Sequence, residues 1–567
     1  MKLHQRKLNK LDIMIKQFLI GKVGQPLFKE LDEKSKNCKQ AQHDSLMEIL
    51  QSCKDTAFGK EKQFDKIADA DDYRAAVPLL TYNDIHPYIE RMLKGEQDVL
   101  FKGKPIIYNT TSGTTDKPKL IPISQAYYDG LYSKQSRLFF ASILKENPQF
   151  LSGYNFSVIS KAVEGYKEDG IPFGAMSGHV YLNIPGFLKN GYSIPYDVFK
   201  IENYDSRYYC MIRFAIMYDV TYLITINPTS LFHIQKTIDK HLDVLLEDIH
   251  KGTLTDQIDI SSEIRSNLSK KLKPNPKLAK ELQTLVNNHD QLMPKHFWPN
   301  LSVVNSWANG NCKIYREKMM KLLPDTIAFR EFGYQSTEIR AGVSLQNDDL
   351  SSILMCHLAF YEFIKCDEME CGDSIKTYLA HELEIGESYY FVFTGPNGLY
   401  RYQSHDIIQV VGFHNEFPKI IFIQKGKGVT NLVGEKLYES QMLASIERGI
   451  THFNLKSLFH ISFADLTNLV YHTYIEIEPP ISNSVVLKLA TYIDQCLCET
   501  NMEYSAKRNS MRLKSLHLHL LEPDSFFKFK TAMKKQGQDN DAQFKMIHLM
   551  QDEKKRMLFE QWVIKPT

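Results

Sequence analysis

The segment from Thr110 to Lys119 holds a dense set of residues that could bind a phosphate. Five hydroxyl side chains, one glycine and two lysines lie between two short apolar runs that predict β-strands. Hydroxyl donors, accessible backbone N–H groups and cations are what a polyphosphate needs. The segment is not a Walker loop, which carries Gly-x-x-x-x-Gly-Lys and leads into a helix. Its residues alone fit either a phosphate-binding loop or a Ser/Thr-rich surface loop.

A second candidate site follows the predicted buried strand Thr326 to Phe332. Within a few residues it offers the aromatic ring of Tyr334, the hydroxyl of Thr337 and the carboxylate of Glu338. Open α/β sheets place ligands at the carboxyl ends of their strands. These groups could stack on a base, hold a phosphate and ligate a metal. The alternative is a strand end with a buried tyrosine and a solvated glutamate.

A third candidate, Asp406, follows a hairpin predicted from the turn Gly395 to Gly398. A carboxylate accepts hydrogen bonds only, which suits ribose hydroxyls. The alternative is a surface ion pair between Arg401 and Asp406, which would contribute little stability. Further along, Gln424 to Gly428 combines two glycines and two lysines without an apolar anchor, and this predicts a linker or hinge.

The elements that position these residues divide at that hinge. Residues 1–100 are mostly helical, and from about Pro105 short apolar runs alternate with helical periods. Beyond Lys425, helices and strands alternate in an α+β manner. We therefore predict a large α/β domain with mixed sheets and packed helices, residues 1–424, and a small mobile α+β domain, residues 425–567.

Composition excludes several classes of protein. Hydrophobic residues make up 43% and charged residues 24% of the 567 residues, so the chain as a whole is not disordered. The net charge of +2 argues against a dedicated nucleic-acid binder. No apolar run approaches the roughly 20 residues that cross a bilayer. The nine cysteines lack zinc-ligand spacing and fit a reducing compartment. The first 23 residues predict a basic amphipathic helix docked on the core; a transit peptide or membrane-surface helix is the alternative.

Taken in order, these segments resemble the adenylate-forming superfamily, which includes acyl-coenzyme A synthetases and luciferase. The details resemble one branch, the Gretchen-Hagen-three acyl-acid amido synthetases. The marks of that branch lie at Asp55–Lys60, Val77–Tyr82, Tyr88–Met92, Phe360–Ile364, Glu384–Gly386, Gly398–Tyr402, Val411–Phe413 and Gly434–Leu437. The match covers roughly residues 40–560.

The resemblance implies a role for each matching residue. The β- and γ-phosphates of ATP would be held by Thr111, Ser112, Gly113, Thr114, Thr115 and Lys119. Tyr334 would stack on adenine, Thr337 would touch the α-phosphate and Asp406 would bind the ribose. Glu338 would ligate Mg²⁺, and Lys425 occupies the family's hinge position. Lys545 would bridge the α-phosphate and the substrate carboxylate.

The implied reaction joins a carboxylic acid to an amino acid or another amine. ATP would convert the acid into an acyl-adenylate, and the amine would then displace AMP. The implied enzyme is a cytoplasmic monomer with no nucleic-acid partner and no integral membrane segment. Two alternatives stay open: a thiol acceptor, as in acyl-coenzyme A ligases, and a nucleotide-binding scaffold without turnover.

The scaffold alternative is motivated by departures from the family pattern. Aspartate replaces the loop glycine at position 116, and lysine replaces the hinge arginine at position 425. Ile339 and His405 stand where glycine is usual, and Ile547 replaces a proline. Each substitution leaves the groups that the chemistry requires in place.

Overall fold

The computed structural model describes residues 3–110, 119–366, 368, 375–426, 429, 430, 432, 433, 435, 437–509, 511, 513–535 and 546–564. Within these residues, no helix is both long enough and apolar enough to cross a membrane. The phosphate-loop residues Thr111 to Thr115 lie outside the described residues, as do Asp116 and Lys545.

The helices pack around several separate sheets. They are α1 Lys10–Lys34, α2 Cys38–Cys53, α3 Ala57–Glu61, α4 Ala70–Ala76, α5 Tyr82–Leu93, α6 Gln125–Tyr127, α7 Ser133–Glu146, α8 Met176–Asn183, α9 Gly186–Lys189, α10 Tyr204–Ala215, α11 Thr229–Lys251, α12 Ser262–Ser269, α13 Pro276–Asn288, α14 Pro294–Phe297, α15 Lys313–Met320, α16 Glu439–His452, α17 Asn483–Thr500, α18 Met502–Asn509, α19 Ser525–Lys535 and α20 Glu553–Glu560.

The strands are mostly short. They are β1 Ile107–Thr110, β2 Leu120–Ile123, β3 Tyr154–Ser157, β4 Gly165–Tyr166, β5 Pro172–Gly174, β6 Val220–Ile224, β7 Val303–Asn305, β8 Ala328–Arg330, β9 Gly342–Val343, β10 Ser352–Leu354, β11 Phe360–Lys365, β12 Tyr378–Leu379, β13 Ser388–Gly395, β14 Leu399–His414, β15 Phe417–Lys425, β16 Val429–Thr430, β17 Leu437–Tyr438, β18 Ser457–Asp465, β19 Val470–Ile477, β20 His517–Leu520 and β21 Leu549–Met550.

A parallel sheet with the order β3-β6-β7-β8 forms one wall of the large domain. Its strands are short and apolar, as expected for strands covered on both faces. The hydrophobic cluster that buries these strands comes largely from helices α10, α11 and α13. It also contains Trp298, which follows α14. The carboxyl ends of β6, β7 and β8 lie at the same edge of this sheet.

An antiparallel sheet with the order β12-β11-β13-β14-β15-β10-β9 forms the second wall. The predicted hairpin is confirmed: β13 and β14 pair around the turn after Gly395. The runs Leu399 to Tyr402 and Asp406 to Gly412 belong to the single long strand β14. A third sheet, β2-β1-β5-β4, places β1 and β2 antiparallel on either side of the predicted phosphate loop.

The residues after β15 have hydrophobic clusters of their own. Strands β18 to β21 form a mixed sheet with the order β20-β19-β18-β21, and α16 and α17 pack together on it. A second small cluster lies around Phe559 on the other side. The prediction of an α/β body with a separate α+β domain at the carboxyl end is therefore confirmed.

The amino-terminal helix is confirmed, but it docks by an unexpected face. The stripe Leu11, Ile15 and Phe18 is 42–66% exposed. Contact with α7 is made on the opposite face, where Gly24 lies against Ala141. Glycine and alanine allow a closer approach of the two helices than the larger apolar residues would, which explains the difference.

Candidate active site

A cavity of about 770 Å³ opens where the two walls meet the carboxyl-terminal domain. It lies at the carboxyl ends of three neighbouring parallel strands, because Asn227 follows β6, Trp307 follows β7 and Tyr334 follows β8. Open α/β sheets bind ligands in this position. Helix α5, strand β14 and residues 546–548 also contribute to the lining. The cavity thus gathers parts of the chain that lie far apart in sequence.

Tyr334 and Lys425 both line this cavity, and both contact the buried carboxylate of Asp406. The Tyr334 hydroxyl donates to Asp406 Oδ2 at 2.6 Å, and Lys425 Nζ lies 2.5 Å from Asp406 Oδ1. Asp406 is 1% exposed, and its backbone N–H donates to Ser404 Oγ at 3.1 Å. The Tyr334 ring packs edge-on against Phe391. Three predicted site residues therefore form one connected group.

Strand pairing explains how Lys425 reaches Asp406. The two residues are direct partners across the antiparallel pair β14 and β15, so their side chains leave the sheet on the same face. Burial lowers the pKa of Lys425. The carboxylates of Asp406 and Glu338 raise it by more than burial lowers it, so the net pKa lies above its ordinary value. Lys425 is therefore a cation at neutral pH.

The backbone of the Tyr334 segment is shaped by Gly333. Its φ is +89°, and a Cβ atom there would lie 2.8 Å from the carbonyl oxygen of Gly342. Only glycine fits such a turn. His405, where the family uses glycine, also has a positive φ of +56°. Histidine is among the residues that tolerate this region best, so the substitution preserves the backbone path.

Glu338 and Thr337 both line the cavity. The backbone here is held by Asn109, whose Nδ2 donates to the Thr337 carbonyl at 3.1 Å, and by Asn397, whose Nδ2 donates to the Glu338 carbonyl at 2.8 Å. The Glu338 carboxylate is partly exposed and has no hydrogen bond or ion pair within the described residues. The side chains of Asn109 and Asn397 thus fix the backbone of Thr337 and Glu338, and the Glu338 carboxylate is left available to the cavity.

Lys119 is the described end of the predicted phosphate loop. It lines the cavity, and its Nζ lies 5.1 Å from the centroid of the Tyr82 ring. The Tyr82 hydroxyl accepts the Leu120 N–H at 3.0 Å. Strand β2 therefore begins beside the cavity, where Tyr82 of helix α5 supports it.

The carboxyl-terminal domain contributes Met546, Ile547 and His548, which follow Lys545 directly in sequence. The His548 ring lies with Nδ1 2.6 Å from the His460 carbonyl oxygen, and its backbone N–H donates to Glu439. Burial lowers the pKa of His548 to about 4. His548 is therefore neutral at physiological pH and donates through Nδ1.

The alternative pairing of Arg401 with Asp406 is wrong. Arg401 forms a two-pronged ion pair with the buried Glu362, with N···O distances of 2.9 and 3.0 Å. It also donates to the Val77 carbonyl at 2.7 Å, which ties β14 to the helical region before β1. Proximity in the sequence suggested that Arg401 pairs with Asp406. In the structure Arg401 contacts Glu362 and Val77, whereas Asp406 contacts Tyr334.

Several cavity residues were not predicted from the sequence, among them Asn109 and Arg340. Asn109 directly precedes the hydroxyl-rich loop, and that position was the available signal. Arg340 follows Glu338 by two residues and interrupts an apolar run from Ile339 to Val343, which also was a readable signal. Trp307 lines the cavity because it follows strand β7, and nothing in its neighbouring sequence predicts this position.

Three family models match consecutive parts of the chain. The GH3 family N-terminal domain matches residues 27–327, the central domain residues 352–425 and the C-terminal domain residues 441–554. The chain belongs to the GH3 family. The resemblance drawn from the motifs is thereby confirmed, and the three GH3 matches follow one another in the family's order.

Known GH3 proteins extend over nearly the same length. Jasmonoyl–L-amino acid synthetase JAR6 from Nicotiana attenuata is 24% identical over 530 residues, covering 88% of this chain and 89% of that protein. Indole-3-acetic acid-amido synthetase GH3.5 from Arabidopsis thaliana is 24% identical over 551 residues, covering 88% and 86%. The solved structure of the GH3.15 acyl acid amido synthetase superposes with a TM-score of 0.82 at 21% identity, covering 95% and 96%. At this identity the structural match establishes the GH3 fold.

Proposed function

We propose that this chain is an ATP-dependent acid–amino acid ligase. The observation that carries the proposal is the cavity lined by Lys119, the segment Tyr334 to Glu338 and Lys425, with the buried Asp406 bonded to both Tyr334 and Lys425. These are the positions at which the family resemblance requires nucleotide-binding groups. The names of the GH3 relatives, which are amido synthetases, support the same reaction class.

The nucleotide would lie along the edge formed by β8 and β14. Tyr334 would present its ring to adenine, and Asp406 would accept hydrogen bonds from the ribose. Thr337 would contact the α-phosphate. The loop residues Thr111 to Thr115 with Lys119 would hold the β- and γ-phosphates.

Glu338 fits the role of a Mg²⁺ ligand. Magnesium in nucleotide sites is commonly bound through one or two carboxylates together with substrate phosphates and water. The carboxylate of Glu338 meets this requirement because it lines the cavity without a hydrogen bond or ion pair to any described residue. When bound, the ion would supply positive charge to the phosphates of ATP.

The first half-reaction forms an acyl-adenylate. A carboxylate oxygen of the acid attacks the α-phosphorus, and the bond to pyrophosphate breaks. Two anions must approach each other, so catalysis rests on positioning and charge neutralisation. Lys545 would supply a cation to both groups, and the residues that follow it already line the cavity.

The second half-reaction forms the amide. The amine nitrogen attacks the activated carbonyl carbon, the bond to AMP breaks and the nitrogen loses a proton. No covalent link to the enzyme is required. We place the domain boundary at residues 424 and 425, and the small domain, residues 425–567, would turn about Lys425 between the two steps.

The proposal is tested by pyrophosphate exchange with a panel of carboxylic acids. ATP- and acid-dependent exchange is expected for at least one acid. Exchange with no acid, in a protein that binds ATP, would contradict adenylation and favour a scaffold without turnover. Competition between coenzyme A and a mixture of amino acids then identifies the acceptor, and we expect amide products alone. We also propose a cytoplasmic monomer, which cell fractionation and size-exclusion chromatography check.

A further inference from the structure

Arg340 stands in the cavity as a cation whose charge is not balanced by a neighbour. Its Nη1 donates to Ser136 Oγ at 2.7 Å, and its Cζ lies 3.8 Å from the centroid of the Tyr132 ring. Within the described residues no carboxylate lies within 4.0 Å of its guanidinium nitrogens. Two other cations, Arg401 and Lys425, differ in this respect, because Arg401 pairs with Glu362 and Lys425 with Asp406.

The position of Arg340 is well defined. Its backbone N–H donates to the Tyr127 hydroxyl at 3.0 Å, and the backbone forms a bridge with Gln335. The guanidinium lies over the Tyr132 ring, and a cation in this position is attracted electrostatically by the face of the ring. A guanidinium has five N–H donors, and one of them is used by Ser136. None of its nitrogens is both buried and unpartnered, so the remaining donors are open to the cavity.

Two aromatic residues, Tyr127 and Tyr132, contact Arg340. The same cavity is also lined by the apolar side chains of Ile123 and Met176. A substrate chain that filled it would remove water from the guanidinium donors, and unpaired donors are costly when dehydrated.

We propose that Arg340 determines acid specificity by binding a second carboxylate, so that the preferred acyl substrates are dicarboxylic acids. This inference rests on the proposed function. One carboxylate would be adenylated, and the other would form a two-pronged pair with the guanidinium at the far end of the acyl chain. Planar guanidinium groups match carboxylates in geometry, which a lysine does not.

The first test uses the unaltered protein. Pyrophosphate exchange is measured with straight-chain monocarboxylic and dicarboxylic acids of equal length, from butanoic and succinic acid to decanoic and sebacic acid, and with benzoic and terephthalic acid. The expected result is a kcat/KM at least about 10-fold higher for the diacid of the best pair. Exchange that is equal for both members of every pair overturns the inference but leaves the proposed function standing. Exchange with no acid contradicts the proposed function itself.

The second test compares variants. Arg340→Gln should lower kcat/KM for the preferred diacid by about 10- to 100-fold, mainly through KM, and change that for the matching monoacid by less than about 3-fold. Arg340→Lys should recover part of the loss. Arg137→Gln, which removes an exposed arginine of α7, is the matched control and should change neither value.

Two outcomes would assign Arg340 another partner. An equal loss for monoacids and diacids would mean that it binds the reacting carboxylate or the nucleotide. A loss in KM for the amino acid alone, with exchange unaffected, would mean that it binds the acceptor. Either result overturns the inference. Thermal unfolding of each variant separates these effects from misfolding, and the acid series on the unaltered protein needs no variant.

Discussion

Tyr334 and Asp406, 72 residues apart in sequence, are joined by a hydrogen bond of 2.6 Å between the phenol and the carboxylate. One residue follows the parallel sheet and the other lies in the antiparallel sheet. Their contact therefore joins the two walls of the large domain at the cavity. Lys425, at the end of β15, completes the group from the opposite strand.

Asp406→Asn should weaken ATP binding by about 10- to 100-fold. The variant removes the charge that balances Lys425 and turns one acceptor oxygen into a donor. Titration of ATP by calorimetry measures the effect. Asp349→Asn is the control, because Asp349 pairs with Lys419 of the same strand β15 at 2.8 Å without lining the cavity. Equal losses of ATP affinity in both variants would show that Asp406 acts only through stability.

Glu338→Gln should slow pyrophosphate exchange by at least about 100-fold, because the amide is a much weaker ligand for Mg²⁺ than the carboxylate. Binding of AMP in the absence of Mg²⁺ should change by less than about 2-fold. The exposed Glu387→Gln variant controls for loss of a surface carboxylate. A loss of AMP binding as large as the loss of exchange would rule out the metal role.

Lys545→Ala should abolish pyrophosphate exchange but leave amide formation from a supplied acyl-adenylate within about 3-fold, because the lysine is expected to act only where two anions meet. Quenched-flow measurement of each half-reaction separates the two rates. Lys554→Ala, an exposed lysine of α20, should leave both rates unchanged. Loss of both half-reactions in the Lys545 variant would contradict the division of roles.

Stability should fall as the pH decreases from 6.5 to 4, in part because of His548. An unfolded histidine binds a proton near pH 6.5, whereas burial lowers the pKa of His548 to about 4 in the folded protein. Between these values the unfolded state binds more protons, so the stabilising contribution present above pH 6.5 is lost on acidification. For this one group it is on the order of 3 kcal/mol.

His548→Asn tests this pH dependence. The asparagine amide can still donate to the His460 carbonyl but does not titrate, so the decrease in Tm between about pH 6.5 and about pH 5, followed by circular dichroism, should become smaller. His43→Asn, on the exposed face of α2, is the control. An unchanged pH profile in the His548 variant would show that this histidine does not contribute.

Gly398→Ala should destabilise the large domain by about 1–3 kcal/mol through overpacking. Gly398 has a φ of +77°, and a Cβ atom would lie 2.6 Å from Leu100 Cβ. Gly386→Ala is a matched control, because its φ is +92° but no atom lies within 4 Å of the added Cβ. Chemical denaturation measures both. Equal effects would assign the cost to backbone strain alone.

Local patterns in the sequence were sufficient for several elements and for the order of the motifs. The turn after Gly395 and the strands on either side of the hydroxyl-rich loop depend on neighbouring residues. Local interactions of this kind are encoded within a few positions of the chain. Family membership also followed from the order of short motifs, because that order survives at low identity.

Partners far apart in sequence were decided only by the tertiary structure. Arg401 pairs with Glu362 rather than with the nearby Asp406. Asp406 instead contacts Tyr334 and Lys425. The exposed apolar stripe of α1 and the unbalanced charge of Arg340 were likewise invisible in the linear pattern. Side-chain pairing depends on strand register and on the packing of sheets, and both are set by the whole fold. The sequence by itself determined which chemical groups are present and where the local turns lie, and the fold decided which of those groups face one another.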